Sequence, residues 1–109
     1  MKKLDTGYRF TVSGSDVWRS EPIDMGFIWN WSYVAQIEKL SGTIAGEINS
    51  YVANDPDGPW VTCSTGSYGD AAAHLFRSHG DMFFGWVQME VSGSTGEVEV
   101  EIDVFGKGF

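Results

Sequence analysis

One stretch near the end of the chain alternates strictly between apolar and acidic residues. Its even positions are Val98, Val100, Ile102 and Val104, and its odd positions are Glu97, Glu99, Glu101 and Asp103. Side chains of a β-strand point alternately to opposite faces, whereas an α-helix repeats every 3.6 residues. The stretch therefore predicts a half-buried strand with one aliphatic face and one face of four carboxylates, and the rest of the chain must supply a core for the aliphatic face.

Other parts of the chain show the same short period, with turn signals about every ten residues. Strand-like runs are residues 8–13, 27–40, 47–53, 82–91 and a run that starts at residue 60. Residues 82–91 are expected to form a hairpin with the acidic strand across Ser92–Gly96. Asp70–Arg77 could form one or two helical turns. We expect an all-β fold, a single antiparallel β-sandwich of jelly-roll type with at most one short helical turn near residues 70–77.

A chain of 109 residues has the size of one domain. We expect one β-sandwich domain over residues 1–109, with residues 1–6 as a flexible terminus. Lys2 and Lys3 are not followed by the apolar segment of a signal peptide, and no run is long enough to span a bilayer. Synthesis and folding in a cytoplasm, without membrane contact, are therefore expected.

The chain is strongly acidic. Fifteen acidic residues against seven basic ones give a formal charge of −8, which repels phosphate backbones, so we expect no nucleic-acid partner. A charged partner would be basic, or a bound cation. The plainer interpretation is that the acidic face keeps the protein soluble and prevents strand aggregation.

No arrangement of residues indicates catalysis. The only cysteine, Cys63, excludes an intrachain disulfide, and its place in a predicted strand indicates a buried, inert thiol. His74 and His79 lack the further converging ligands that a metal site needs. Asp55-Pro56-Asp57-Gly58 has the composition of part of a calcium loop, but without the distal glutamate an ordinary β-turn is predicted. We expect no enzymatic activity, no cofactor and no metal.

The aromatic residues leave two interpretations open. Trp29, Trp31 and Tyr33 share one face of a predicted strand, where three large rings are more often core than a platform for sugar rings. Trp60 follows the strongest turn signal of the chain, and Trp18 stands alone among polar residues. The candidate interaction surface therefore consists of four tryptophans and the acidic row: Trp18, Trp29, Trp31, Trp60, Glu97, Glu99, Glu101 and Asp103.

Several short segments together resemble a family of small tailed-phage virion proteins. These segments are Ser20–Met25, Tyr33–Ile37, Gly46–Asp55, Trp60-Val61, Phe83–Val87 and Val104–Gly108. Members of the family typically show a serine-proline-isoleucine-aspartate-like segment and an alternating strand that ends in serine-asparagine-aspartate. A tryptophan-valine pair, an aromatic-valine strand and a final glycine-lysine-glycine follow. The likeness covers most of the chain.

The resemblance implies a discoidin-like or jelly-roll sandwich on a phage particle, as a capsid decoration protein or a tail accessory. It also implies a phage capsid or tail protein as the partner, a homo-oligomer such as a trimer, and a virion location after synthesis in the host cytoplasm. The alternative, from a different class, is a carbohydrate-binding module in which Trp29, Trp31 or Trp60 stacks on a glycan.

Overall fold

The computed structural model describes residues 2–3, 7–26, 28–81 and 85–108. Within these ranges the secondary structure is all β, with no helix. The strands are β1 (Lys2–Lys3), β2 (Tyr8–Ser13), β3 (Val17–Arg19), β4 (Ile23–Asp24), β5 (Ile28–Ala53), β6 (Val61–Tyr68), β7 (Ala73–Asp81) and β8 (Trp86–Gly108).

Two long antiparallel strands, β5 and β8, form the frame of the molecule. Their pairing runs from Ile28 opposite Gly108 to Ala53 opposite Trp86. A straight strand of the 26 residues of β5 would be about 86 Å long at ~3.3 Å per residue, yet the longest dimension of the molecule is 44 Å. Because the register shifts in the middle of β5 lie within residues 39–46, we place the bend there. Both strands therefore contribute one half to each of two layers.

The two halves of the frame carry different edge strands. Sheet I consists of β2 and β1, residues 97–108 of β8, residues 28–38 of β5, and β7. Sheet II consists of β3 and β4, residues 86–93 of β8, residues 46–53 of β5, and β6. All of these pairings are antiparallel, as expected for the predicted β-sandwich.

The core lies between the sheets and contains the predicted aliphatic face. Val98, Val100, Ile102 and Val104 are at most 1% exposed. Trp31 and Tyr33 of β5 are also buried, which confirms the core interpretation for these two of the three aromatic residues. Ile23 and Met25 are buried as well.

Aromatic pairs close both open sides of the sandwich. On one side, Phe10 of sheet I stacks on Trp18 of sheet II with ring centroids 3.8 Å apart, and Tyr8 meets the same indole edge-on at 5.1 Å. On the other side, His74 of sheet I lies 5.9 Å from the ring of Tyr68 of sheet II. These contacts join edge strands that share no backbone pairing.

The predicted C-terminal hairpin is wrong, because both of its halves belong to the single strand β8. The glycine-rich segment between them bonds to the β2–β3 turn. Gly93 N–H donates to the Asp16 carbonyl, and Gly14 N–H donates to the Gly96 carbonyl. The segment therefore continues the strand through the bend, and each half of β8 pairs with β5 instead of with the other half.

Residues 70–77 contain no helical turn, since β7 begins at Ala73 and pairs with residues 30–38 of β5. Asp70 does not cap a helix: its carboxylate accepts hydrogen bonds from Lys39 Nζ at 2.8 Å and from the Ile44 N–H at 3.2 Å. The free edge of β5 provides a ladder of backbone partners for this segment, which outweighs the helix propensity of its alanines.

The predicted burial of Cys63 is wrong, because this thiol is exposed. Cys63 lies at a register shift in an edge strand, next to the pairing of Tyr51 with Thr62. At the N-terminus, Lys2 and Lys3 pair with Gly106 and Phe105. The remaining residues of the predicted flexible terminus, 1 and 4–6, lie outside the described residues.

Candidate functional site

The two outer faces of the sandwich are the candidate binding surfaces. The outer face of sheet I, called the acidic face, carries five carboxylates and three basic residues: Glu38, Glu97, Glu99, Glu101, Asp103, Arg9, Arg77 and Lys107. The outer face of sheet II, called the Glu90 face, carries Arg19, Asn49, Tyr51, Gln88 and Glu90, and also the exposed carboxylates of Asp24 and Glu47. The first face was predicted from the sequence, whereas the second was not.

On the acidic face, one arginine offsets part of the carboxylate repulsion. Arg9 Nε lies 3.5 Å from Glu99 Oε1, and its Nη2 lies 3.4 Å from Glu101 Oε2. Ser13 Oγ donates to Glu97 Oε2 at 2.8 Å. Both partners of Arg9 are solvent-exposed, so these ion pairs contribute little stability. The face remains a solvated acidic surface around a groove of about 110 Å³.

On the Glu90 face, one nearly buried carboxylate accepts hydrogen bonds from side chains of two neighbouring strands. Glu90 is 8% exposed. Its Oε1 accepts hydrogen bonds from Asn49 Nδ2 at 3.2 Å and from the Tyr51 hydroxyl at 3.0 Å. Its Oε2 accepts from Arg19 Nε at 3.0 Å and also from Arg19 Nη2. Both carboxylate oxygens are therefore bonded to protein donors.

The electrostatics of this cluster follow from the same contacts. Burial alone would raise the pKa of Glu90, but the hydrogen bonds from Arg19, Tyr51 and Asn49 outweigh it and hold that pKa below its usual value. Burial and the hydrogen bond to Glu90 raise the pKa of Tyr51. The Arg19 guanidinium also lies 5.5 Å from the centre of the Tyr51 ring. Glu90 is thus negatively charged at pH 7, and the adjacent Arg19 neutralises this charge.

A second set of hydrogen bonds fixes Arg19 in position. Ser20, its neighbour, accepts a hydrogen bond from the Met89 N–H through its Oγ at 2.9 Å. Gln88 Nε2 donates to the Ser20 carbonyl at 2.8 Å. Because Ser20 and Gln88 are both buried, these bonds hold the end of β3 against β8. The backbone next to Arg19 is therefore held in place beside Glu90.

The predicted tryptophans do not form a common surface. Trp31 is 1% exposed, so no ring face is accessible. Trp18 is half-buried, with one face covered by Phe10. The side chain of Trp29 lies outside the described residues. Trp60 is half-buried at the end of the β5–β6 turn. Its sequence neighbours Pro59 and Val61, but not Trp60 itself, line a groove of about 230 Å³ together with Val52, Ala53 and Asn54.

The remaining polar candidates have structural partners. One ring nitrogen of His74, Nε2, lies 2.9 Å from the Gly69 carbonyl oxygen. The segment Asp55–Gly58 forms the predicted turn, in which Gly58 N–H donates to the Asp55 carbonyl and Asp57 N–H donates to Asp55 Oδ1. Within the described ranges, no three His, Cys, Asp or Glu side chains converge as metal ligands. The side chain of His79 is not among those that the structure describes.

The part of the chain that the structure describes contains no helix of the length and apolarity needed to cross a membrane. No family model matches the chain, and no curated protein matches it.

Nine solved chains match its structure. The C-terminal CBM6, a carbohydrate-binding module, of the marine laminarinase LamC from Zobellia galactanivorans has a TM-score of 0.49 at 10% identity, covering 88% of this chain and 76% of its own. The structure of the infectious bursal disease virus Gx strain matches with a TM-score of 0.48 at 12% sequence identity. The match covers 92% of this chain and 33% of the viral chain. The SPBc2 prophage-derived protein YomS matches with a TM-score of 0.45 at 17% sequence identity. The match covers 94% of this chain and 97% of the YomS chain. At these scores the likenesses carry no argument about function.

Sequence reasoning missed the Glu90 cluster. The only signal was that Gln88 and Glu90 alternate with three apolar residues, which predicts an outward-facing pair but no partners. The predicted hairpin of residues 82–91 with the acidic strand would have placed Glu90 beside the acidic row. Because β8 crosses from sheet II to sheet I, Glu90 lies instead on the face opposite that row.

Proposed function

We propose that this protein is a non-enzymatic structural protein of a phage virion and that it binds the surface of the particle. Its leading role is capsid decoration, and the second role considered is that of a tail accessory protein. The sequence resemblance to small tailed-phage virion proteins, which covers most of the chain, supports the virion assignment. The structural support is the pairing of the buried carboxylate of Glu90 with Arg19 on the outer face of sheet II.

The observation that carries the proposal is the neutralisation of the Glu90 carboxylate by Arg19 within the Glu90 face. Contact with a partner removes water from a surface, and the centres of protein interfaces are accordingly poor in unpaired charge. The carboxylate of Glu90 has already been withdrawn from water and bonded by Arg19, Tyr51 and Asn49. The acidic face, by contrast, would lose the hydration of several carboxylates. The Glu90 face therefore docks on the particle, and the acidic face points outward.

Co-sedimentation tests this proposal. The purified protein is mixed separately with phage heads and with phage tails, and the pellets are analysed for its stoichiometry. We expect a fixed number of copies on heads. Retention in the supernatant with both particles would exclude the virion assignment.

A matched pair of variants tests the docking face. Val17, on the same face of β3 as Arg19, is 61% exposed, and Leu75, on the outer face of sheet I, is 65% exposed. Val17→Glu should weaken particle binding about tenfold or more, because a new unpaired charge must be desolvated. Leu75→Glu adds the same charge to the opposite face and should bind like the wild type. Equal effects of the two variants would contradict docking by the Glu90 face.

The carbohydrate-binding alternative is favoured by one observation, a groove of about 230 Å³ lined by Pro59 and Val61, the two sequence neighbours of Trp60. A glycan stacked on Trp60 would change the tryptophan fluorescence of the wild type, and Trp60→Ala would remove that change. Such a response, together with failure to sediment with either particle, would select this alternative.

A further inference from the structure

Among the described edge strands of the sandwich, β6 is the one of more than three residues that carries neither charge nor proline. The edge strand of a sheet has backbone N–H and C=O groups without a partner strand. Proteins commonly protect such edges with charged residues, with proline or by keeping the strand short. Among the described strands, charged residues protect two edges, with Arg9 in β2 and with Arg77 and Asp81 in β7. Two other edge strands are short, since β3 has three residues and β4 has two. In contrast, β6 has eight residues with no charge and no proline.

The free edge of β6 is solvent-accessible and has a regular part. The strand pairs on one side only, with β5. Its register shift lies near Cys63, and residues 64–68 beyond it pair without interruption. Thr65 and Ser67 are exposed, whereas the inner side of Gly66 packs closely on Phe76. This five-residue segment therefore presents an uncharged ladder of backbone groups.

The segment is also complementary to itself. If two copies pair antiparallel about Gly66, Thr65 of each copy lies opposite Ser67 of the other. Cross-strand pairs of hydroxyl side chains stabilise antiparallel sheets. In a protein of charge −8, a second copy is repelled least where the contacting strand carries no carboxylate.

We propose that β6 is a homodimerisation edge, at which residues 64–68 of two copies pair antiparallel around a two-fold axis and join their sheets II into one continuous sheet. The occupant of this edge is a second copy of the chain. The proposal does not depend on the virion assignment. Because one strand edge forms a small interface, the dimer is weak, with a Kd above about 10 µM.

Charge variants test the register directly by sedimentation equilibrium. Thr65→Asp/Ser67→Asp places like charges opposite each other at two cross-strand positions, and Thr65→Lys/Ser67→Lys does the same with positive charges. Each double variant should raise the dimer Kd about tenfold or more. A 1:1 mixture of the two should restore dimerisation, because unlike charges then face each other. This rescue shows that both variants are folded.

The control is Thr11→Asp/Ser15→Asp, which adds the same charge at exposed positions away from β6 and should dimerise like the wild type. Amide hydrogen exchange of the wild type provides a measurement without substitutions: raising the protein concentration should slow exchange selectively within residues 64–68. A wild type that stays monomeric up to about 1 mM would overturn the proposal, since even weak interfaces of this kind form in that range. An aspartate variant that associates like the wild type would also overturn it.

Discussion

At the scale of single residues, Glu90 is the most strongly constrained charge among the described side chains. Its carboxylate is nearly buried and is bonded to three side chains. A buried ion pair is not required for stability, because well-packed apolar residues often serve as well, but removal of one partner is costly. The cluster therefore makes stability sensitive to the charge of Glu90.

We predict a specific loss of stability when Glu90 loses its charge. The lowered pKa means that its stabilising contribution is present above the pKa of an unfolded glutamate, about 4.3, and is lost as pH falls toward the folded value. Glu90→Gln should lower the free energy of unfolding at pH 7 by about 1–3 kcal/mol. Its urea unfolding curves should also depend less on pH below about 4.3 than those of the wild type.

Two internal comparisons make this measurement specific. Glu99→Gln removes a carboxylate from the acidic face, where the side chain is 40% exposed, and should change stability by no more than about 0.5 kcal/mol. The hydrogen bond from Lys39 also lowers the pKa of Asp70. Asp70 contributes equally to the pH dependence of stability in the wild type and in both variants. Identical pH profiles for the wild type and Glu90→Gln would show that the cluster does not hold the carboxylate in its charged form.

At the scale of elements, the bends of β5 and β8 depend on close backbone approach. Gly46 of β5 lies opposite Gly93 of β8. A Cβ atom at Gly46 would overlap the Ser92 carbonyl oxygen and the Tyr68 hydroxyl, which are hydrogen-bonded to each other at 3.1 Å. A Cβ atom at Gly93 would meet the Gly14 carbonyl oxygen at 2.6 Å. Small residues at both positions allow the sheets to fold together.

We predict that Gly46→Ala destabilises the protein by about 3 kcal/mol, because the methyl group must displace backbone and a bonded hydroxyl. Gly69→Ala is the matched control, since a Cβ atom there meets nothing within 4 Å, and it should have a small effect. Chemical denaturation of the two variants measures the difference. A Gly46→Ala protein as stable as Gly69→Ala would mean that the bend is not closely packed.

At the scale of the whole molecule, acidic residues outnumber basic ones, and the formal charge of the chain is −8. On the acidic face, Arg9 lies within 3.5 Å of both Glu99 and Glu101. Like charges on one compact body repel one another and favour the expanded state. The folded protein therefore carries an electrostatic cost that salt can reduce.

We predict that added salt stabilises the protein at pH 7. Between 0.01 and 1 M NaCl the screening length falls from about 30 to about 3 Å, which should raise the free energy of unfolding by about 1 kcal/mol, equivalent to roughly 4–8 °C in Tm. Glu99→Gln/Glu101→Gln should gain less from salt than the wild type. Thermal unfolding at several salt concentrations measures both; a fall in Tm with salt would contradict a net repulsion.

The amino-acid sequence by itself determined the fold class and the two faces of its most regular strand. Strict alternation allows only one structure, because the aliphatic positions share a face only in an extended chain. Val98 to Val104 are accordingly buried at every second residue. The inward orientation of Ile23 and Met25 and the turn at residues 55–58 follow from equally local rules.

Tertiary structure decided which strands pair and which side chains meet. Residues 92–96 satisfy the local signals for a hairpin turn, but hydrogen bonds to the β2–β3 turn make them a bend of β8. Residues 73–81 form a strand because β5 offers them an unpaired edge. Arg19 and Glu90 are 71 residues apart in the chain, and only the sheet register brings them together. Long-range pairing of this kind leaves no periodic pattern in a single sequence.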